Sequence, residues 1–241
     1  MKPNVTIITK NEAKNLEECL NTIPTSWTVI VVDSGSVDNT VEIARTQGAT
    51  VIKKSWMGFG LQKQYAVDQF EKGWILSIDA DERVSKELAV EIENLSSEET
   101  DTAYRIPRLS YFKGQVIRHS GWRPDHVIRL FNSNYCCFNQ NQVHESIIGF
   151  RSLKNLKADL LHYPYNDDDD IKRKAQLYGT LGNAQVKEKG SQQGFVISIL
   201  KSSWSFFRTY IIRLGFLDKK AGFEIAVMNA KVTFFKYSRR L

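Results

Sequence analysis

The chain has 241 residues, 42% of them hydrophobic and 25% charged, a balance that suits a soluble globular protein and argues against global disorder. Its formal net charge of +6 is concentrated: residues 195–241 carry nine basic and two acidic side chains, +7, which leaves −1 for residues 1–194. Cys19, Cys136 and Cys137 show no CxxC or zinc-type spacing, so a reducing, cytoplasmic setting is expected, and no uncharged run approaches the roughly 18 residues that cross a bilayer.

Residues 5–9 form a β-rich apolar run, too short for a signal-peptide core, and residues 13–21 carry a helical pattern. A second run at 28–32 exits on Asp33-Ser34-Gly35-Ser36, followed by a helix expected over 40–47 that Asp38 or Asn39 can cap. A weaker strand at 50–54 and a helix at 61–70 precede the apolar run 74–78, which ends on Asp79-Ala80-Asp81-Glu82. A strand buried on both faces has no room for carboxylates, so these acids sit at its exit. There they suit either a hard divalent cation or the start of the helix expected over 86–95, with Ser85. Strands and helices in rotation imply a mostly parallel sheet covered on both faces, with ligands bound beyond the strands' C-terminal ends. Lys10-Asn11-Glu12, the loop after Asp33 and the acids after Ile78 then share one edge. No G-x-G-x-x-G follows the first strand and no P-loop is present, which argues against a dinucleotide or Walker-type site.

Beyond residue 103 the pattern changes to short β-like pieces at 104–107, 115–119, 127–131 and 135–138. Gly121-Trp122-Arg123-Pro124-Asp125-His126 and Val143-His144-Glu145 lie among and after them. A helix is expected over 171–187, and the acids at 167–170 read as a solvated loop and helix-start charge. The last stretch predicts helices over 196–214 and 221–237, broken near 215–220. Its ten aromatics interleave with its basic residues, a composition suited to a helix lying in an anionic membrane interface or to helices packed with a basic outer face. No nucleic-acid recognition motif accompanies it.

The ordered set of motifs resembles a known family. Val31-Val32-Asp33-Ser34-Gly35-Ser36-Val37-Asp38-Asn39-Thr40 followed by Asp79-Ala80-Asp81 resembles the family 2 inverting glycosyltransferases of GT-A fold. Thr9-Lys10-Asn11-Glu12, Gly58-Phe59-Gly60-Leu61-Gln62-Lys63, Val143-His144-Glu145 and Gly215-Phe216-Leu217-Asp218 resemble the branch of bacterial lipopolysaccharide core β-1,4-glucosyltransferases. Ser34 stands where the broad family often has a second aspartate, and Lys219-Lys220 follow Asp218 where a glycine is expected.

The resemblance implies an α/β GT-A domain over 1–190 and a basic helical tail over 191–241, peripheral on the cytoplasmic face of the inner membrane. It implies a UDP-sugar donor, with Asp33 accepting from the uracil NH and Asn11, Glu12, Lys63 and Asp79 around the nucleotide sugar. Asp79 and Asp81 would form a DXD motif whose Asp81 coordinates Mg2+ or Mn2+, with His162 as a further ligand. Glu145 is expected as catalytic base, with Asp125 in reserve. Trp122 and Asp125, with Arg123 or Arg129, would meet a lipid A-core acceptor, and Glu82 would help start the next helix. UDP-galactose or a UDP-N-acetylhexosamine, and a capsule or glycolipid acceptor, are the alternative substrates.

Overall fold

The computed structural model describes residues 1–98, 100–141, 145–165, 167–188 and 194–238. Val143 and His144 of the quoted motif, and Arg239 and Arg240 of the basic tail, lie outside the described residues. The chain forms two compact units: residues 1–108 with 125–162, and residues 109–124 with 163–241. This division differs from a boundary near residue 190, because a segment from the middle of the chain joins the C-terminal helices.

In the first unit, strands β1 (Asn4–Thr9), β2 (Val29–Asp33), β3 (Thr50–Lys53) and β4 (Trp74–Asp79) alternate with helices α1 (Ala13–Asn21), α2 (Thr40–Thr46) and α3 (Phe59–Val67). The strands pair in parallel in the order β3-β2-β1-β4. Parallel pairing buries both faces, and Val5, Ile7, Val31, Val32, Ile75, Leu76 and Ile78 are buried accordingly. This is the α/β arrangement expected from the alternation, a mostly parallel sheet flanked by helices, consistent with a GT-A fold.

Strand β5 (Glu82–Val84) and helix α4 (Lys86–Glu93) follow, and Ser85 caps α4 by accepting from the Leu88 amide. Strand β6 (Thr102–Phe112) is far longer than the piece expected at 104–107, and the hairpin partner β7 (Gln115–Val116) is shorter than 115–119. Strand β8 (His126–Asn132) runs antiparallel to both β4 and β6. Short strands β9 (Cys137–Phe138) and β10 (Ile147–Ile148) pair with each other. β11 (Ser152–Asn155) joins β6 in parallel, and β12 (Leu160–His162) pairs antiparallel with β5.

The second unit holds the last four residues of β6, strand β7 and three helices: α5 (Asp168–Glu188), α6 (Phe195–Phe207) and α7 (Lys219–Tyr237). A π-turn at Arg208–Ile212 and a 3-10 turn at Gly215–Asp218 separate α6 from α7. The acids expected to start a helix do so: Asp168, Asp169 and Asp170 form the first turn of α5, and Asp167 accepts from the Asp170 amide at 2.8 Å. Phe112, Ile117, Ala221, Ile225 and Met228 make this unit's core, with Trp122 and Tyr165 packed against it.

Candidate active site

Strand register sets the polar exits of the first unit level with one another. Thr9 of β1 lies opposite Asp33 of β2, and Ile8 lies opposite Asp79 of β4. Asn11 takes a positive φ of 56°, donates its amide to Ser36 Oγ at 2.8 Å and accepts from the Val37 amide at 2.8 Å. The Glu12 amide donates to Thr40 Oγ1 at 2.8 Å, so the loops after β1 and β2 are stitched together. Asp33 is buried and organises its own loop: Oδ2 accepts from the amides of Gly35 and Ser36 at 3.0 Å, and Oδ1 from the hydroxyls of Thr9 and Ser36. Asp38 accepts from the Thr40 amide and hydroxyl and from the Ala13 amide. Burial pushes its carboxyl up, but those hydrogen bonds outweigh it and hold it below its ordinary range.

Helix α3 supplies the residues that join this edge to the rest of the unit. Gly58 enters at φ 96°, a value that favours glycine. Gly60 lets the loop before β10 approach closely: a Cβ there would stand 2.1 Å from the Asn139 carbonyl oxygen, and its own amide donates to Asn141 O at 3.1 Å. Gln64 Oε1 fixes the same segment by accepting from the Phe138 amide at 2.7 Å. Gln62, fully buried, donates to Ser34 Oγ at 3.1 Å and Lys54 O at 3.2 Å. Lys63 is 2% exposed, and its Nζ lies 2.9 Å from Asp79 Oδ1 and 2.8 Å from Glu145 Oε1. It is a buried bridging cation, not a solvated helix lysine.

From Lys63 the charges continue in alternation across the sheet. Asp79 meets Lys63 and Arg129; Arg129 also meets Glu82 at 2.7 Å. Glu82 meets Arg108 at 3.2 Å, and Arg108 meets Asp125 at 2.7 Å. Burial alone would raise the Asp79 carboxyl, but the charges of Arg129 and Lys63 outweigh it and hold it well below the usual carboxylate range. Burial acts against the charge of Arg129, and Asp79 and Glu82 more than restore it. The expectation for Glu82 is corrected here. It opens β5, is fully buried between two guanidiniums and accepts from the Asp79 amide at 3.0 Å, while Ser85 alone caps α4.

Asp81 lies just beyond the end of β4 and outside those ion pairs. Its Oδ2 lies 3.6 Å from His162 Nε2, and β12 sets His162 opposite Glu82. The structure therefore brings Asp81 and His162 together and engages Asp79 with cations instead. Among the described residues no group of three or more His, Cys, Asp or Glu side chains converges as a metal cage. One carboxylate and one imidazole still fit a Mg2+ or Mn2+ site of the kind completed by substrate phosphate oxygens and water.

The residues expected to meet an acceptor divide between the units. Asp125 and Arg129 belong to the first; Arg129 is buried between Asp79 and Glu82. Trp122 and Arg123 belong to the second, where Trp122 lies edge-on to Phe112 at 6.0 Å in the apolar core. The Gly215–Asp218 motif is an anchor within the second unit. Asp218 accepts from the amides of Arg118 and His119 and from Ser120 Oγ at 2.8 Å, and Gly222 leaves room for the Gly215 carbonyl. Sequence reasoning missed Gln62 and Arg108. Gln62 lay within a quoted motif, whereas nothing in the sequence separates Arg108 from a surface arginine.

Comparison with known proteins gives a consistent picture. Residues 4–155 match the model of glycosyl transferase family 2, a stretch that contains every acid of the charge network. An uncharacterized glycosyltransferase of Rickettsia bellii is 30% identical over 97% of this chain and 84% of its own length. The lipopolysaccharide core biosynthesis glycosyltransferase LpsC of Rhizobium meliloti is 27% identical over 96% of this chain and 92% of its own. In fold, the chain is similar to the mannosyltransferase PcManGT of Pyrobaculum calidifontis, solved with GDP-Man and Mn2+. The TM-score is 0.50 at 15% identity, over 97% of this chain and 74% of that one. With a family match across more than half of its length and parallel-strand exits that carry the acids, the chain belongs to glycosyl transferase family 2 and is a glycosyltransferase.

Proposed function

We propose that this enzyme is an inverting, metal-dependent hexosyltransferase that moves glucose from UDP-glucose to an inner-core heptose of lipopolysaccharide or lipooligosaccharide. The observation that carries the chemistry is the Glu145–Lys63–Asp79 bridge, which holds a carboxylate beside the acids at the strand exits. The likeness to LpsC over nearly the whole of both chains supports the acceptor class.

In this reading Glu145 removes the proton of the acceptor hydroxyl while that oxygen forms its bond to C1. The C1–oxygen bond to UDP breaks on the opposite face, and its electron pair leaves with the diphosphate. Lys63 orients Glu145 and, with Arg129, fixes Asp79. Asp33, Asn11 and Glu12 form the nucleotide side, where their interlocked loops present a preset surface to the base. Asp81 and His162 would hold the metal, which neutralises negative charge on the departing diphosphate. Asp125 is the proposed acceptor contact of the first unit.

A donor-by-acceptor assay tests this directly. Purified protein is offered UDP-glucose, UDP-galactose, UDP-N-acetylglucosamine and GDP-mannose with heptose-bearing lipid A-core, in Mg2+, Mn2+ or EDTA. One added hexose by mass spectrometry, with a β-anomeric coupling, is expected from UDP-glucose and not in EDTA. Glu145→Gln is expected to lower kcat by about 10²–10⁴-fold, the range for a positioned general base. Full activity in that variant removes Glu145 from the role, and full activity in EDTA removes the metal.

A further inference from the structure

Helix α6 packs on α7 through Phe206, whose ring meets Phe223 at 5.7 Å, and through small hydroxyl residues: Ser198 is fully buried, and Thr209 in the π-turn that follows is buried too. Its opposite side presents Val196, Leu200, Trp204, Phe207 and Ile211 at helical spacing, with Val196, Leu200 and Trp204 at 67%, 65% and 57% exposure. A helix that folds against water alone turns this stripe inward. The exposed apolar surface continues into Ile212, Leu214, Phe216 and Leu217.

Beside this stripe, between α6 and α7, lies a cavity of about 460 Å³ lined by Lys201, Arg208, Arg213 and Lys236 with Trp204 and Tyr237. No acid lines it, and none of the four cations forms an ion pair among the described residues. Lys201 rests 4.2 Å from the Tyr237 ring centroid, an electrostatic contact that leaves its positive charge in place. Four like charges around one cavity repel, and a multiply hydrogen-bonding anion relieves that repulsion. Trp204 belongs to both features, on the apolar stripe and on the cavity wall. An indole at such a boundary suits the level of lipid headgroups.

We propose that this face of the second unit docks on an anionic bilayer, with the α6 stripe among the acyl chains and a lipid phosphate group in the basic cavity. A second copy of the chain is the poorer occupant, because a two-fold contact through this face would set one uncompensated basic cavity against another. No helix among the described residues is long and apolar enough to cross a membrane, so the stripe would lie in the interface and not span it.

The test is co-sedimentation of the full-length protein with vesicles of phosphatidylcholine, alone or mixed with phosphatidylglycerol. Binding is expected to the mixed vesicles only. It should weaken roughly 30-fold in Lys201→Ala/Arg208→Ala, about fivefold per cation removed, and be lost in Leu200→Glu/Phe207→Glu. All these side chains face solvent, so circular dichroism and the unfolding midpoint should match the wild type. Retention in the supernatant with mixed vesicles overturns the proposal, as does undiminished binding by both variants. A dimer by light scattering that Leu200→Glu/Phe207→Glu dissociates, without vesicle binding, assigns the stripe to a second copy instead. Stabilisation by inorganic phosphate without vesicle binding assigns the cavity to a soluble anion. No sugar donor is present in this assay, so its failure leaves the glycosyl-transfer reading untouched.

Discussion

Lys63 and Glu145, 82 residues apart in the chain, meet at 2.8 Å, and the same ammonium holds Asp79 at 2.9 Å. One buried cation therefore ties the acid at the β4 exit to the carboxylate proposed as base. Lys63→Met should leave two carboxylates short of a partner, costing about 1–3 kcal/mol of stability. The loss of kcat should exceed what the shifted unfolding midpoint explains. Urea unfolding and single-turnover kinetics on the same preparation separate the two, and wild-type kcat in the variant would remove Lys63 from the positioning role.

Gly60 lets the Asn139–Asn141 segment, which is hydrogen-bonded to Ser146 beside that carboxylate, lie close against α3. A methyl group at Gly60 meets the Asn139 carbonyl at 2.1 Å, a backbone atom that cannot swing aside. Gly60→Ala should cost about 1–3 kcal/mol as an overpacked contact and lower kcat by displacing the segment that leads to Glu145. Affinity for UDP, the proposed donor nucleotide, should by calorimetry stay near the wild-type value, since Asn11, Glu12 and Asp33, proposed to bind it, are held by separate bonds.

Glu82 offers a test by magnitude. A carboxylate that only favoured a helix start would contribute about 0.3–1 kcal/mol. Glu82 is instead fully buried between Arg129 and Arg108. Glu82→Gln leaves both guanidiniums without their shared counter-charge and should destabilise by about 3–5 kcal/mol. Urea unfolding at neutral pH decides between the two figures.

Asp79 should leave its mark on the acid limb of stability. Its folded carboxyl titrates below its unfolded one, because Arg129 and Lys63 overcome the effect of burial. Its stabilising contribution is thus complete above the unfolded value of about 3.9 and is lost as pH falls through the lower folded value. The stability gap between wild type and Asp79→Asn should be constant from pH 7 to about pH 5 and narrow below about pH 4. A gap that stays constant into strong acid would show that the ion pairs do not favour the charged form.

Asp218 should behave as a structural anchor. Its carboxylate accepts from two amides and a hydroxyl of the 118–120 segment. Asp218→Ala should lower the stability of the second unit by about 2–3 kcal/mol, the scale of charge-assisted hydrogen bonds. Hydrogen exchange at the Arg118 and His119 amides should rise with it, while amides of β1 and β4 keep their protection.

The parallel sheet was legible because strands buried on both faces are nearly continuous apolar runs, as at Val29–Asp33 and Trp74–Asp79, and their polar exits fall at the chain positions where those runs stop. Asp33 and Asp79 could be singled out for the same reason, as carboxylates that end such runs, whereas Glu145 stood out only through the family resemblance of the Val143-His144-Glu145 motif. Lys63 was ambiguous, since α3 shows no clear separation of apolar and polar faces and a lysine there reads as solvated until Asp79 and Glu145 arrive from distant segments. Glu82 was misread because three acids in four residues look alike, and a three-residue strand such as Glu82–Val84 is too short to show a period. The membership of residues 109–124 in the helical unit was hidden as well. It is settled by contacts with Asp218 and α7 that lie about a hundred residues further on.

That last distance has a consequence for how the protein comes into being. Residues 118–120 leave the ribosome well before Asp218 is made, with 98 to 100 positions between the partners. At roughly 5–20 residues per second, about 5–20 seconds of synthesis pass with Ile117 and Phe112 lacking the helix that buries them. The hairpin therefore waits as an apolar segment without its helical partner. The second unit closes only once α7 has emerged, about a hundred residues after the segment that it covers.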